Sequence, residues 1–166
     1  MNKMKDFHTF RFDLDDAHTP DQVVKDCLQS LEEETHGYVT AHVQEYTKHY
    51  DEVSNTKDDQ EHPNVQSYLG AVNDQKKTYE IYLSVKGIPN FKYRMMFLEF
   101  GEIAYPAGMV LSDEISTIIT SVYEYRYAIE SVSSLQHVMD KILNSNYFHV
   151  LIQNFINEGL RREKEH

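Results

Sequence analysis

The segment Tyr79–Phe100, YEIYLSVKGIPNFKYRMMFLEF, reads as two strands and the turn between them. From 79 to 86, Tyr79, Ile81, Leu83 and Val85 alternate with Glu80, Tyr82, Ser84 and Lys86. A period of two belongs to a strand with one buried face. Gly87-Ile88-Pro89-Asn90 supplies the turn residues. The second strand, 91–100, alternates at first and then runs through Met95, Met96, Phe97 and Leu98 without a polar residue. Such a run predicts burial on both faces or a bulge.

Working outward, Ile103–Val110 contains Pro106 and Gly108, which predicts an edge strand at best. Val65–Val72 reads as a short strand, with Asn73–Lys76 as its connection, and the polar stretch 51–64 as a loop. Residues 38–50 are rich in Tyr, Val and Thr, and Val39, Ala41 and Val43 alternate with polar neighbours. A strand is favoured there over a helix running on from residue 20. Residues 7–14 also alternate and predict a further strand.

Between these lies a helix near 20–36. Thr19 is its expected N-cap, Pro20 its first residue and Gln22 the closing member of a capping box. Gly37 is expected to end it in a left-handed conformation. In the C-terminal third, Ser112 is a good N-cap. Ile115, Ile118, Val122, Tyr125, Ile129, Val132 and Met139 recur at three- and four-residue steps. This stripe predicts one amphipathic helix over 112–143. Asn144-Ser145-Asn146 breaks it, and a second helix follows from about 147. The order β-α-β-β-β-β-α-α implies an α+β fold: a mainly antiparallel sheet of 4–6 strands with a long C-terminal helical pair. The whole chain, 1–166, reads as one domain, with a strand-rich part over 1–110 and a helical part over 112–163.

Charge is distributed unevenly. Asp13 to Glu61 holds 14 acidic residues against Lys25, Lys48 and Lys57, a net of −11; the remainder holds 13 of each sign. A concentrated field selects partners, whereas evenly spread charge mainly gives solubility. The acidic balance argues against nucleic-acid binding, which needs clustered Lys and Arg. No apolar run suits a signal peptide or a membrane span, so a cytoplasmic location is expected.

Chemical signatures are sparse. Cys27 is the single cysteine, which excludes an internal disulfide and a cysteine-rich zinc site. Phosphate-binding glycine loops, GxSxG and HExxH are absent. Asp13, Asp15, His18, His42 and His49 could be assembled into a metal site, and Glu33 with His36 makes one Glu-x-x-His step. The plainer alternative, solvated surface residues, is preferred, and no metal, cofactor or catalytic residue is expected.

Two binding roles remain. The first is a non-enzymatic binding protein, a homodimer through its long helix, docking a basic protein through Glu32, Glu33, Glu34, Asp58 and Asp59. The second is a chaperone-like pocket for an apolar ligand or peptide. The sheet would line it with Tyr79, Ile81, Leu83, Tyr93, Met95 and Phe97, and the helix with Ile118, Val122 and Tyr125. A metal-dependent enzyme ranks behind both.

Overall fold

The computed structural model describes residues 17–47, 69–119 and 126–165. The strand expected at 7–14 and the loop at 51–64 lie outside these residues. The elements are α1 (Pro20–Leu28), α2 (Leu31–Glu34), β1 (Val39–Glu45), β2 (Lys77–Val85), β3 (Tyr93–Phe100), β4 (Ala107–Leu111), α3 (Asp113–Ile119), β5 (Arg126–Ile129), α4 (Val132–Leu143) and α5 (Asn146–Lys164). The strands form one antiparallel meander in the order β1-β2-β3-β4-β5. The fold is α+β, as expected, and Val39–Glu45, within the segment 38–50, is a strand.

The β2–β3 hairpin is central. Leu83 pairs with Tyr93 and Tyr82 with Arg94, but Ile81 pairs with Met96, so Met95 is an inserted residue in β3. The insertion explains the unbroken apolar run. Met95 and Met96 are both buried in the core despite being adjacent. Gly87 and Asn90 take positive φ values of 89° and 65° in the turn. Ile81, Leu83, Met96, Leu98, Met109 and Ile129 are among the sheet residues in the core, against Val24 and Leu28 of α1, Leu135 and Met139 of α4, and Phe148 and Ile152 of α5.

Four sequence expectations change. The helix expected over 20–36 is two pieces, because Gln29 and Ser30 interrupt it. Thr19 precedes Pro20 in an extended conformation, but its hydroxyl makes no capping bond, so the capping box is not formed. Gly37 has φ 81°, yet the left-handed residue that follows the helix directly is His36, at φ 54°. The Gly37 amide donates to the Glu32 carbonyl and the His36 amide to that of Glu33, the paired bonds of a Schellman ending. Of the strand expected over Val65–Val72, residues 69–72 form none and residues 65–68 lie outside the described residues.

The last two corrections concern the second half of the sheet. β4 is an interior strand between β3 and β5 rather than an edge, because Pro106 falls just before its first residue and removes no ladder donor. Residues 112–143 are not one helix. Ser112 starts α3, with its Oγ accepting from the Ile115 amide at 3.3 Å, but Arg126–Ile129 pairs with β4, and Ser131 starts α4 anew by accepting from the Ser134 amide at 3.1 Å. The apolar stripe correctly marked buried residues, since Ile115, Ile129, Val132 and Met139 are all in the core. Strand pairing by Ala128 and Ile129 overrode the helical spacing. The basis for pairing two copies along a 32-residue helix goes with it.

α5 begins at Ser145, whose Oγ accepts from the Phe148 amide at 3.1 Å and donates to the Ile142 carbonyl at 2.7 Å. One hydroxyl therefore serves the end of α4 and the start of α5. Ser145→Ala is expected to lower stability by about 1 kcal/mol, with glycine costing less. Denaturant titration reads this directly; an unchanged midpoint for the alanine variant would show that the cap contributes nothing.

Candidate functional site

The acidic trio Glu32, Glu33 and Glu34 forms most of α2. All three side chains are exposed, as is Asp26 on α1. Residues 17–47 carry six acidic side chains and one basic one, Lys25. Among the described residues, none of the ion pairs involves Asp26, Glu32, Glu33 or Glu34. The ion pairs among the described residues lie elsewhere: Lys92 and Arg94 on Glu80, Lys76 and Arg126 on Glu99, Arg161 and Arg162 on Glu158, and Lys86 on Glu163. Asp58 and Asp59 lie outside the described residues.

Beside this edge is a cleft of about 600 Å³ between α1–α2 and α4–α5. Leu28, Leu31, Phe148 and Ile152 form its largely buried floor, and Glu34 and Asp140 are its charged members. Among the described residues, no Lys or Arg lines it. Cys27 is half-buried there. Burial, then the charges of Asp140 and Asp26, raise its thiol pKa, so the nucleophilic thiolate is disfavoured. His149 points a ring nitrogen at the Leu143 carbonyl, 3.0 Å away.

A second polar cluster occupies the sheet face opposite the core. Glu80 is only 2% exposed. Its carboxylate accepts from Gln44 Nε2 at 2.7 Å, Lys92 Nζ at 2.8 Å and Arg94 Nε at 2.9 Å. Burial alone would raise its pKa, but the Lys92, Gln44 and Arg94 bonds outweigh that and hold it below the ordinary carboxylate value. Lys92 also lies over the Tyr82 ring at 4.1 Å, and Tyr82 stacks on His42. His42 Nε2 is 2.8 Å from Ser84 Oγ, so one ring nitrogen is already engaged. Within the cluster the buried carboxylate is matched by three donors of the protein itself.

The residues expected to line a pocket under the long helix do not share one surface. Ile81, Leu83 and Met95 are at most 1% exposed and belong to the packed core. Tyr79 stacks on Phe100 at 5.3 Å. Tyr93 meets Phe155 edge-on, and burial, then its bond to Tyr147, raises its hydroxyl pKa. Phe97 pairs with Glu80 and faces the other way, beside Tyr46, because the Met95 insertion reverses the alternation between Tyr93 and Phe97. Ile118 is half-buried on α3, and Val122 and Tyr125 lie outside the described residues.

Of the metal candidates, His18 is exposed, His42 is engaged as above, and Asp13, Asp15 and His49 lie outside the described residues. Among the described residues, no three His, Cys, Asp or Glu side chains are grouped to hold a metal ion, and no helix is long and apolar enough to cross a membrane. Sequence reasoning missed Asp140 and the buried role of Glu80. Asp140 joins Glu34 only through the packing of α1 against α4, and no local pattern announces that. Glu80 sat in plain alternation, but its partners depend on the strand register. No protein-family model, no curated protein and no solved structure matches this chain.

Proposed function

We propose that this protein is a non-enzymatic binding module that docks a basic protein surface through the acidic edge of α1 and α2. The observation that supports this reading is the contrast in charge use. Glu32, Glu33 and Glu34 stand exposed and unpaired among the described residues, while Glu80, Glu99, Glu158 and Glu163 each hold a cation. The α2 dipole compensates the three glutamates only weakly, since the helix is one turn long. Neighbouring like charges repel, and a cationic partner relieves that repulsion.

The test is fluorescence anisotropy with a labelled lysine-rich peptide. Affinity is expected to fall about tenfold or more between about 50 and 300 mM NaCl, as screening shortens the range of the field. Reversing Glu32, Glu33 and Glu34 to Lys should cost about tenfold in affinity at low salt and leave the melting temperature nearly unchanged, because exposed unpaired charges contribute little to stability. Reversing the exposed Glu102, Glu130 and Glu165 changes net charge equally and serves as the control. Equal losses in both triple variants would mean that total charge, not this edge, attracts the peptide, and the reading fails.

A further inference from the structure

The cleft of about 600 Å³ next to α2 combines an apolar floor with carboxylates, and among the described residues no Lys or Arg lines it. Resting on the docking reading above, we propose that this cleft receives one apolar side chain of the partner, from a segment whose flanking Lys or Arg residues meet Glu34 and Asp140. Three features of the cleft select that occupant. An uncharged apolar segment would cover Glu34 and Asp140 without replacing their water, which is costly. An acidic segment would be repelled by the same field that Asp140 and Asp26 impose on the Cys27 thiol. A purely basic segment would leave Leu28, Leu31, Phe148 and Ile152 without a cover. Only a segment with both characters satisfies floor and rim together.

The other large cleft, about 680 Å³ along β4 and β5, lacks this complementarity because its Glu99 is already matched by Lys76 and Arg126. Charge there is balanced within the protein, so it selects no sign of partner.

The experiment compares two labelled lysine-rich peptides, identical except that one central Leu is Ala in the second, on the full-length protein. The Leu peptide is expected to bind about tenfold or more tightly, the effect of sheltering one large aliphatic side chain from water. In Gln153→Trp, an exposed α5 position at the cleft, the indole should occupy the space and abolish the preference. Asp140→Lys should weaken both peptides and leave their ratio in place. Equal binding of the two peptides to the wild type overturns the cleft proposal. So does a Leu preference that survives in Gln153→Trp, which would put the contact elsewhere. The docking reading is judged separately: it fails if the Glu32, Glu33 and Glu34 reversal changes neither peptide's affinity.

Discussion

Gly159→Ala is expected to destabilise the protein by about 2 kcal/mol, although in most helices this change stabilises by up to about 1 kcal/mol. Gly159 sits inside α5, where a glycine is normally unfavourable, and it is buried. Its position against the sheet explains its presence. A Cβ there would lie 2.8 Å from the Lys86 carbonyl oxygen and 2.9 Å from Tyr38 Cδ1. Neither neighbour can yield cheaply. Lys86 is tied to the residue just before β1 through its amide, which donates to the Tyr38 carbonyl at 2.9 Å. The Tyr38 ring is held by its hydroxyl bond to Glu163 and by Lys86 Nζ, 5.4 Å from the ring centroid. Overpacking of this kind costs about 1–3 kcal/mol; two simultaneous overlaps put the cost near the top of that range, and the gain of up to about 1 kcal/mol in helix propensity leaves a net loss of about 2 kcal/mol. Gly159→Val should lose more. Chemical denaturation gives the sign, and hydrogen exchange should show α5 amides losing protection first. An alanine variant as stable as the wild type would mean that α5 rides freely on the sheet.

The same contact shows where sequence patterns carry information and where they stop. Local signals served well. The alternation of Tyr79–Val85, the turn at Gly87–Asn90 and the break at Asn144-Ser145-Asn146 before α5 all mark features that form. Each of those signals concerns residues within six positions of one another. The failures lie at longer range. Ile115 to Met139 reads as one helix because its apolar spacing is helical, yet Arg126–Ile129 finds ladder partners in β4. Ser131, mid-stripe, was the local hint of a new start, since its hydroxyl caps α4. Gly159 itself gave no sign, because Tyr38 and Lys86 lie more than 70 residues away in sequence. The candidate site divides in the same way. The exposure of Glu32, Glu33 and Glu34 is legible from a polar run, whereas the cleft needs Glu34 and Asp140 brought together by the packing of α1 on α4. The expected pocket lining also missed the parity change at Met95, which turns Phe97 away from Tyr93.

Glu80→Ala is expected to cost about 2–3 kcal/mol, the scale for a buried charged acceptor that loses several donors. The side chain is 2% exposed, so its charge is stabilised by Lys92, Arg94 and Gln44 rather than by water. Its removal leaves two cations side by side on the sheet face. Their side chains retain 38% and 41% exposure, so both can turn toward solvent, which keeps the loss below that of a fully enclosed pair. Glu80→Gln keeps the shape and one acceptor oxygen, and should cost less. Acid provides the sharper check. Because the folded pKa lies below the ordinary value of 4.5, the unfolded chain takes up the proton first as pH falls. The stabilisation is therefore complete above about pH 5, declines as pH passes below 4.5, and is gone once the folded carboxyl is also protonated. Stability of the wild type and of Glu80→Gln, measured from pH 7 downward, should converge over that interval. Parallel curves with a constant gap would mean that the carboxylate charge is not what holds Lys92 and Arg94, and that the cluster acts through packing alone.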